Sequence, residues 1–220
     1  MLVSPLSAIA DNSGEFSISI QQNRIEISGT QGQLTAYPLA ICQLQNVETI
    51  SLTDHIFTEI PECISQNGRT LRQLRLARNG ISKISANMFQ LKFLEELDLS
   101  SNKIVTKQSD DWSGLSKIRS LTLNNNPISE LPSSIGNLTS LEVLSLANTL
   151  IAGLPDSFSN LTSLRVLDLG NTKITVTPKS FSSFVNLQKL NLAGVSTLTA
   201  AEKNVIRSIF KDRAVEITWP

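Results

Sequence analysis

The sequence predicts an α/β solenoid whose turns stack into one parallel β-sheet, and three observations carry that prediction. The pattern apolar-x-x-apolar-x-apolar returns as Val47/Ile50/Leu52, Leu71/Leu74/Leu76, Leu94/Leu97/Leu99, Ile118/Leu121/Leu123, Leu141/Leu144/Leu146, Leu164/Leu167/Leu169 and Leu187/Leu190/Leu192. Successive starts lie 24, 23, 24, 23, 23 and 23 residues apart, a period that fits one supersecondary unit per repeat. The chain also holds 31 Leu and 21 Ile against 11 aromatic residues, so its core is layered aliphatic. Nineteen basic side chains balance nineteen acidic ones. That balance argues against phosphate-directed nucleic-acid binding, and the aliphatic wealth excludes a disordered chain.

The elements follow in order. Met1 to Ala10 is mildly apolar, lacks Lys and Arg and is interrupted by Pro5, so no signal leader is expected. No apolar run reaches the roughly 18 residues that span a bilayer. Phe16–Ile20 and Arg24–Ile27 alternate around Gln21-Gln22-Asn23 and read as a hairpin. A degenerate first unit counts from Arg24, with Ile27, Leu34, Tyr37-Pro38, Ile41 and Leu44 at positions 4, 11, 14–15, 18 and 21. In each full unit, positions 4 and 6 point to one side of a short strand. Position 11 (Phe57, Ile81, Ile104, Ile128, Ile151, Ile174) and the apolar residues near 14, 18 and 21 return to the same interior. Ile60-Pro61, Leu131-Pro132, Leu154-Pro155 and Thr177-Pro178 mark the return turn.

Position 9 holds Asn79, Asn102 and Asn126, then Thr149 and Thr172. An amide both donates and accepts, so the Asn turns should be bonded more firmly than the Thr turns. Unit 94–117 departs most: Lys107 takes an apolar position and Gln108–Trp112 replaces the proline turn, which predicts a convex bulge with Trp112 packed inward. At the C-terminus Thr199 and Glu202 form a capping box ahead of the apolar helical face Val205, Ile206, Ile209 and Phe210. Val215, Ile217 and Trp219 alternate as a last strand. The expected organisation is an N-terminal segment with capping hairpin (1–23), about eight repeats (24–198) and a C-terminal helix/strand cap (199–220).

The unit L-x-x-L-x-L-x-x-N-x-L with its return segment resembles the leucine-rich-repeat family over residues 24–198. The Leu131 to Leu138 run Leu-Pro-x-x-Ile-Gly-Asn-Leu resembles the short type of many bacterial proteins and of Ras-binding and plant intracellular relatives. The resemblance implies a horseshoe with a concave parallel sheet, whose exposed positions 2, 3, 5, 7 and 8 bind a partner. Position 2 reads Glu48, Arg72, Glu95, Arg119, Glu142, Arg165, Gln188, an alternating run that predicts a cross-strand ion ladder. The other exposed positions are charged in the first half and small in the second. Candidate partner-binding residues are Arg72, Arg75, Arg78, Glu96, Asp98, Asn124 and Asp168, with Arg75 and Arg78 as carboxylate-binding forks. A solvated face is the competing reading of that arginine patch. No aromatic residue lies on these strands, which argues against a tight apolar grip.

Chemistry is sparse. His55, Cys42 and Cys63 are three potential ligands where a structural zinc site needs four, so neither metal nor cofactor is expected. So few cysteines favour reduced thiols, although the repeat phase sets both on neighbouring turns and leaves a disulfide open. Asn137-Leu-Thr139 and Asn160-Leu-Thr162 match a glycosylation sequon but are also ordinary repeat segments. The sequence holds no P-loop and no nucleophile elbow. The expectation is a monomeric, non-catalytic protein-binding module without nucleic-acid partner or membrane span. It would be cytoplasmic, or secreted into a host cell as an effector, and would regulate or inhibit a partner; a structural spacer or a surface-associated leucine-rich-repeat protein is the alternative.

Overall fold

A computed structural model describes residues 16–21, 24–29, 34, 35, 37, 40–43, 45–175 and 178–220. Met1–Ala10, Gln22, Asn23, Pro38, Leu44 and Thr177 lie outside them. Ten strands form one sheet in chain order: β1 (Phe16–Gln21), β2 (Arg24–Gly29), β3 (Thr49–Ser51), β4 (Gln73–Arg75), β5 (Glu96–Asp98), β6 (Ser120–Thr122), β7 (Val143–Ser145), β8 (Val166–Asp168), β9 (Lys189–Asn191) and β10 (Glu216–Thr218). β1 runs antiparallel to β2, and every neighbouring pair from β2 to β10 runs parallel. The register sets Ile50, Leu74, Leu97, Leu121, Leu144, Leu167 and Leu190 side by side. All are buried, while most residues flanking them stay partly exposed, so the two-residue pleat separates core from surface. Removing each such Leu or Ile from water contributes about 1.5–3 kcal/mol.

The hairpin forms, but with a different phase. Ile25 lies opposite Ile50, so Ile25 rather than Ile27 is at position 4. β2 therefore belongs both to the hairpin and to the parallel stack. With few apolar residues in this unit, counting alone admitted two registers that strand pairing separates.

Proline sets the return path. Pro61, Pro132 and Pro155 are extended, with φ of -64°, -66° and -63°. That φ is the value the ring imposes. A 3₁₀ turn follows each, and the amides of Ile64, Ile135 and Phe158 donate back to the proline carbonyls at 3.1, 3.1 and 2.9 Å. Unit 94–117 lacks the proline. The Lys107 amide donates to Asp110 Oδ2 at 2.8 Å, and Asp111 Oδ1 accepts from the Ser113 amide at 3.0 Å. Trp112 is fully buried, as the pattern predicts, while Lys107 stays exposed and Thr106 is buried beside it with its hydroxyl donating to the Glu130 carbonyl.

The position-9 ladder follows the donor count. Asn102 Nδ2 donates to the carbonyls of Leu76, Leu99 and Ser100, at 2.9, 3.0 and 3.1 Å, and its Oδ1 accepts from the Ile81 amide at 3.0 Å. Asn79 and Asn126 repeat this pattern. Thr149 and Thr172 donate to Leu146 and Leu169 carbonyls, each at 2.7 Å.

One expectation is overturned. Cys42, in helix α1 (Ala40–Gln43), and Cys63, in the following 3₁₀ turn, form a disulfide across 5.3 Å between Cα atoms. The phase argument outweighed composition, because α1 and the 3₁₀ turn of the next repeat lie side by side. This brings the two Cα atoms within bridging distance although the cysteines are not at equivalent positions. α2 (Pro178–Ser182) is the return segment between β8 and β9, and α3 (Ala200–Phe210) follows the repeats. α3 buries Ile206 and Phe210, and Phe210 meets Phe181 edge-on at 6.3 Å.

Candidate functional site

The surface opposite the leucine layer carries the predicted binding positions, and its charges are mostly occupied by each other. Arg75 Nε donates to Glu96 Oε1 at 2.8 Å, across β4 and β5. Arg78 forks onto Asp54, through Nε to Oδ1 and through Nη2 to Oδ2 at 2.6 Å. That hydrogen-bonded guanidinium holds the Asp54 carboxyl below the usual carboxylate range and raises Arg78 in turn. Arg72 lies over the Phe93 ring at 5.0 Å, donates to the Phe93 carbonyl at 3.2 Å and approaches Glu95 at 4.0 Å. Of the two arginine forks expected to await a partner's carboxylates, that of Arg78 is filled by Asp54, while Arg75 commits its Nε to Glu96.

The acidic candidates divide. Asp98 Oδ1 accepts from the Ser100 amide at 2.9 Å, and Asp168 Oδ1 accepts from the Gly170 amide at 3.0 Å and Asn191 Nδ2 at 2.8 Å. Both therefore shape the chain leaving the strand while keeping further acceptor capacity on the surface. Arg75, Glu96 and Asp98 sit on adjacent strands, with Arg78 just beyond β4. Asn124 follows β6, and Asp168 lies on β8, so the seven candidates span the face rather than forming one cluster.

The position-2 run is not one unbroken ladder. Among the described residues it resolves into Arg72–Glu95 and a triad in which Glu142 takes Arg119 at 2.6 Å and Arg165 at 3.9 Å. Such exposed pairs contribute about 0.2–1 kcal/mol each.

Position 8, read from sequence as accessible surface, is a backbone feature. Asp54, Arg78, Ser101, Asn125, Asn148, Asn171 and Gly194 all have positive φ, a region that Asn, Asp and Gly enter most readily. The side chains before Gly194 bond in pairs along the stack: Arg78 to Asp54, Asn125 Nδ2 to Ser101 Oγ at 3.2 Å and Asn171 Nδ2 to Asn148 Oδ1 at 2.9 Å. A shallow depression of about 310 Å³ lies over β8–β10, with Asp168, Lys189 and Glu216 on its border. Lys189 and Glu216 pair at 3.4 Å.

The remaining chemistry is enclosed. Cys63 is oxidised, and His55 is buried with Nδ1 accepting from the Leu34 amide at 3.4 Å. Tyr37 stacks on Phe57 at 3.9 Å, and burial raises its phenol. Among the described residues no group of three or more His, Cys, Asp or Glu could hold a metal ion, and no helix is long and apolar enough to cross a membrane.

This geometry matches known proteins. A family model for the leucine-rich repeat region covers residues 106–211, and a second leucine-rich-repeat model covers residues 69–128. The chain is a leucine-rich-repeat protein. Keratocan of Gallus gallus is 31% identical over 121 residues, which are 54% of this leucine-rich-repeat chain and 32% of keratocan. A Leptospira interrogans LRR protein of known structure superposes with a TM-score of 0.77 at 33% identity, over 85% of this chain and 46% of that one. The TLR13–ssRNA13 complex aligns with a TM-score of 0.63 at 28% identity, over 76% of this chain and 27% of that one. The leucine-rich-repeat chain thus spans a third to a half of the first two, and leucine-rich-repeat proteins are in general binding rather than catalytic scaffolds.

One cluster escaped the sequence reading: Arg69, Lys92 and Phe93, where the return segments rejoin the strands. A signal was present. The last residue before the next unit is Ser140 and Ser163 in two later turns, whereas Phe93 fills that place here.

Proposed function

We propose that this protein is a non-catalytic protein-interaction module that engages a partner protein through the concave sheet face, as a regulator or inhibitor of that partner or as a bacterial effector. The observation that carries the reading is a ten-stranded sheet in continuous register, presenting rows of charged, hydroxyl and amide side chains. Such a surface offers many orientable contacts over a large area and suits a macromolecule better than a small substrate. Arg75, Glu96, Asp98 and Arg78 form its charged end; Asn124 and Asp168 lie along the rest. The Cys42–Cys63 disulfide favours the secreted placement over the cytoplasmic one, because disulfides persist in oxidising compartments.

Affinity capture from extract with mass spectrometry tests it, comparing wild type with R75E/R78E. The reversal sets Glu against Glu96 and Asp54, so capture of a specific partner should fall at least about tenfold if one charge-assisted contact is lost. Because the Arg78–Asp54 pair is exposed and the Arg75–Glu96 pair only part-buried, the melting midpoint should fall only a few degrees. A partner retained at full yield by the variant would remove the charged end of the face from the interface.

A further inference from the structure

Arg72, Arg75, Arg78, Arg119 and Arg165 each face a carboxylate of a neighbouring turn. Arg69 and Lys92 differ: among the described residues neither has an ion-pair partner. Both cations line one depression of about 550 Å³, where the segments after two successive 3₁₀ turns rejoin β4 and β5. Gln66, Gln90 and Ser65 add amide and hydroxyl groups to the lining, and no carboxylate joins them.

The depression also contains an aromatic surface. Phe93 is 41% exposed, one of few large apolar side chains so open to water. It is held in place by Arg72, whose guanidinium carbon lies 5.0 Å from the ring centroid and whose Nη1 donates to the Phe93 carbonyl at 3.2 Å. The ring is therefore an ordered apolar platform beside two uncompensated cations.

We propose that this depression is a docking site for an acidic segment of a partner protein carrying an apolar or aromatic residue between its carboxylates. The Arg69 fork takes a carboxylate with two parallel N–H···O bonds, and the Lys92 ammonium takes a second as a point charge. The intervening side chain covers Phe93, and the glutamine amides can bond the segment's backbone. Charge complementarity selects this occupant: the depression is locally cationic in a chain whose total charge is zero. The site lies off the concave centre and stands independently of the reading proposed for that face.

Calorimetric titration of the full chain with a nine-residue peptide of three Glu-Glu-Phe units tests the assignment, with a Gln-Gln-Phe analogue as control. The acidic peptide should bind at least about tenfold more tightly than the analogue, and R69Q/K92Q should remove that advantage. F93A should weaken binding about threefold or more, whereas R75E/R78E should leave it unchanged. Circular dichroism shows that each variant is folded, and R69Q and K92Q taken singly serve if the double variant is not. Equal affinity for both peptides, or undiminished binding by folded R69Q/K92Q, would overturn the proposal. So would a heparin oligosaccharide or a single-stranded oligoribonucleotide that displaces the peptide at lower concentration, since the site would then belong to a non-protein polyanion.

Discussion

Position 8 of the repeat shows how backbone conformation restricts residue choice. Asp54, Arg78, Ser101, Asn125, Asn148, Asn171 and Gly194 have φ of 67°, 53°, 54°, 57°, 56°, 54° and 70°. At Gly194 a Cβ would stand 1.9 Å from Asn171 Oδ1, a side-chain atom that can move aside, so it is the positive φ rather than space that favours glycine there. Arg78 is the unusual occupant, and its two bonds to Asp54 help to hold the side chain in this setting. A comparable argument governs position 9. Replacing Thr149 by Asn extends the amide ladder, with Nδ2 reaching the Leu123 and Leu146 carbonyls and Oδ1 accepting from the Ile128 amide. T149N should therefore stabilise the fold by about 1 kcal/mol, measured as a shift of the urea midpoint at unchanged slope. An unchanged or lowered midpoint would show that the hydroxyl already satisfies this turn.

At the scale of elements, α3 carries a pH-dependent start. Thr199 Oγ1 accepts from the Glu202 amide at 3.3 Å, and Glu202 Oε2 accepts from the Thr199 amide at 2.7 Å, closing a capping box. The bond from the Thr199 backbone lowers the Glu202 carboxyl below its ordinary value. A lowered native value means that the carboxylate contributes stability above the unfolded pKa of about 4.3, which is lost as pH falls through the native value. E202Q should leave a flatter acid limb in a plot of unfolding free energy against pH. Parallel acid limbs for wild type and variant would exclude Glu202 from the pH response. The 3₁₀ turns are less uniform, since Pro61, Pro132 and Pro155 begin three of them whereas Asp111 begins the turn that contains Trp112.

For the whole molecule, stacking makes stability nearly one-dimensional, because each turn meets chiefly its two neighbours. The disulfide acts at one end of that series, closing a sequence separation of 21 residues. Loop-closure entropy gives such a bridge about 3 kcal/mol. Hydrogen exchange of C42S/C63S should show faster exchange in β2 and β3, while β7 to β9 keep their protection. Uniform acceleration from end to end would mean instead that the stack unfolds as a single unit. The fold was legible in the sequence because the same apolar spacing recurs through every full turn and buried leucines tolerate little else. The site was less so. Arg75 and Arg78 are recognisable as strand-face residues, but their partners Glu96 and Asp54 lie 21 and 24 positions away, and only register brings them together. Arg69, Lys92 and Phe93 gather where two turns meet, a place the repeat consensus leaves open.

The two tryptophans occupy unlike surroundings, and this gives the chain two built-in optical reporters. Trp112 is fully buried in the middle of the stack, with the Phe89 ring at 5.5 Å and, among the described residues, no hydrogen-bond partner for Nε1. Trp219 follows the last strand, half-buried beneath the Arg207 guanidinium at 4.6 Å. Their emission samples a dry apolar interior and a cation-covered edge, respectively. Unfolding that begins at the C-terminal end changes the second before the first, so a single spectrum followed through denaturation separates the order in which the turns come apart.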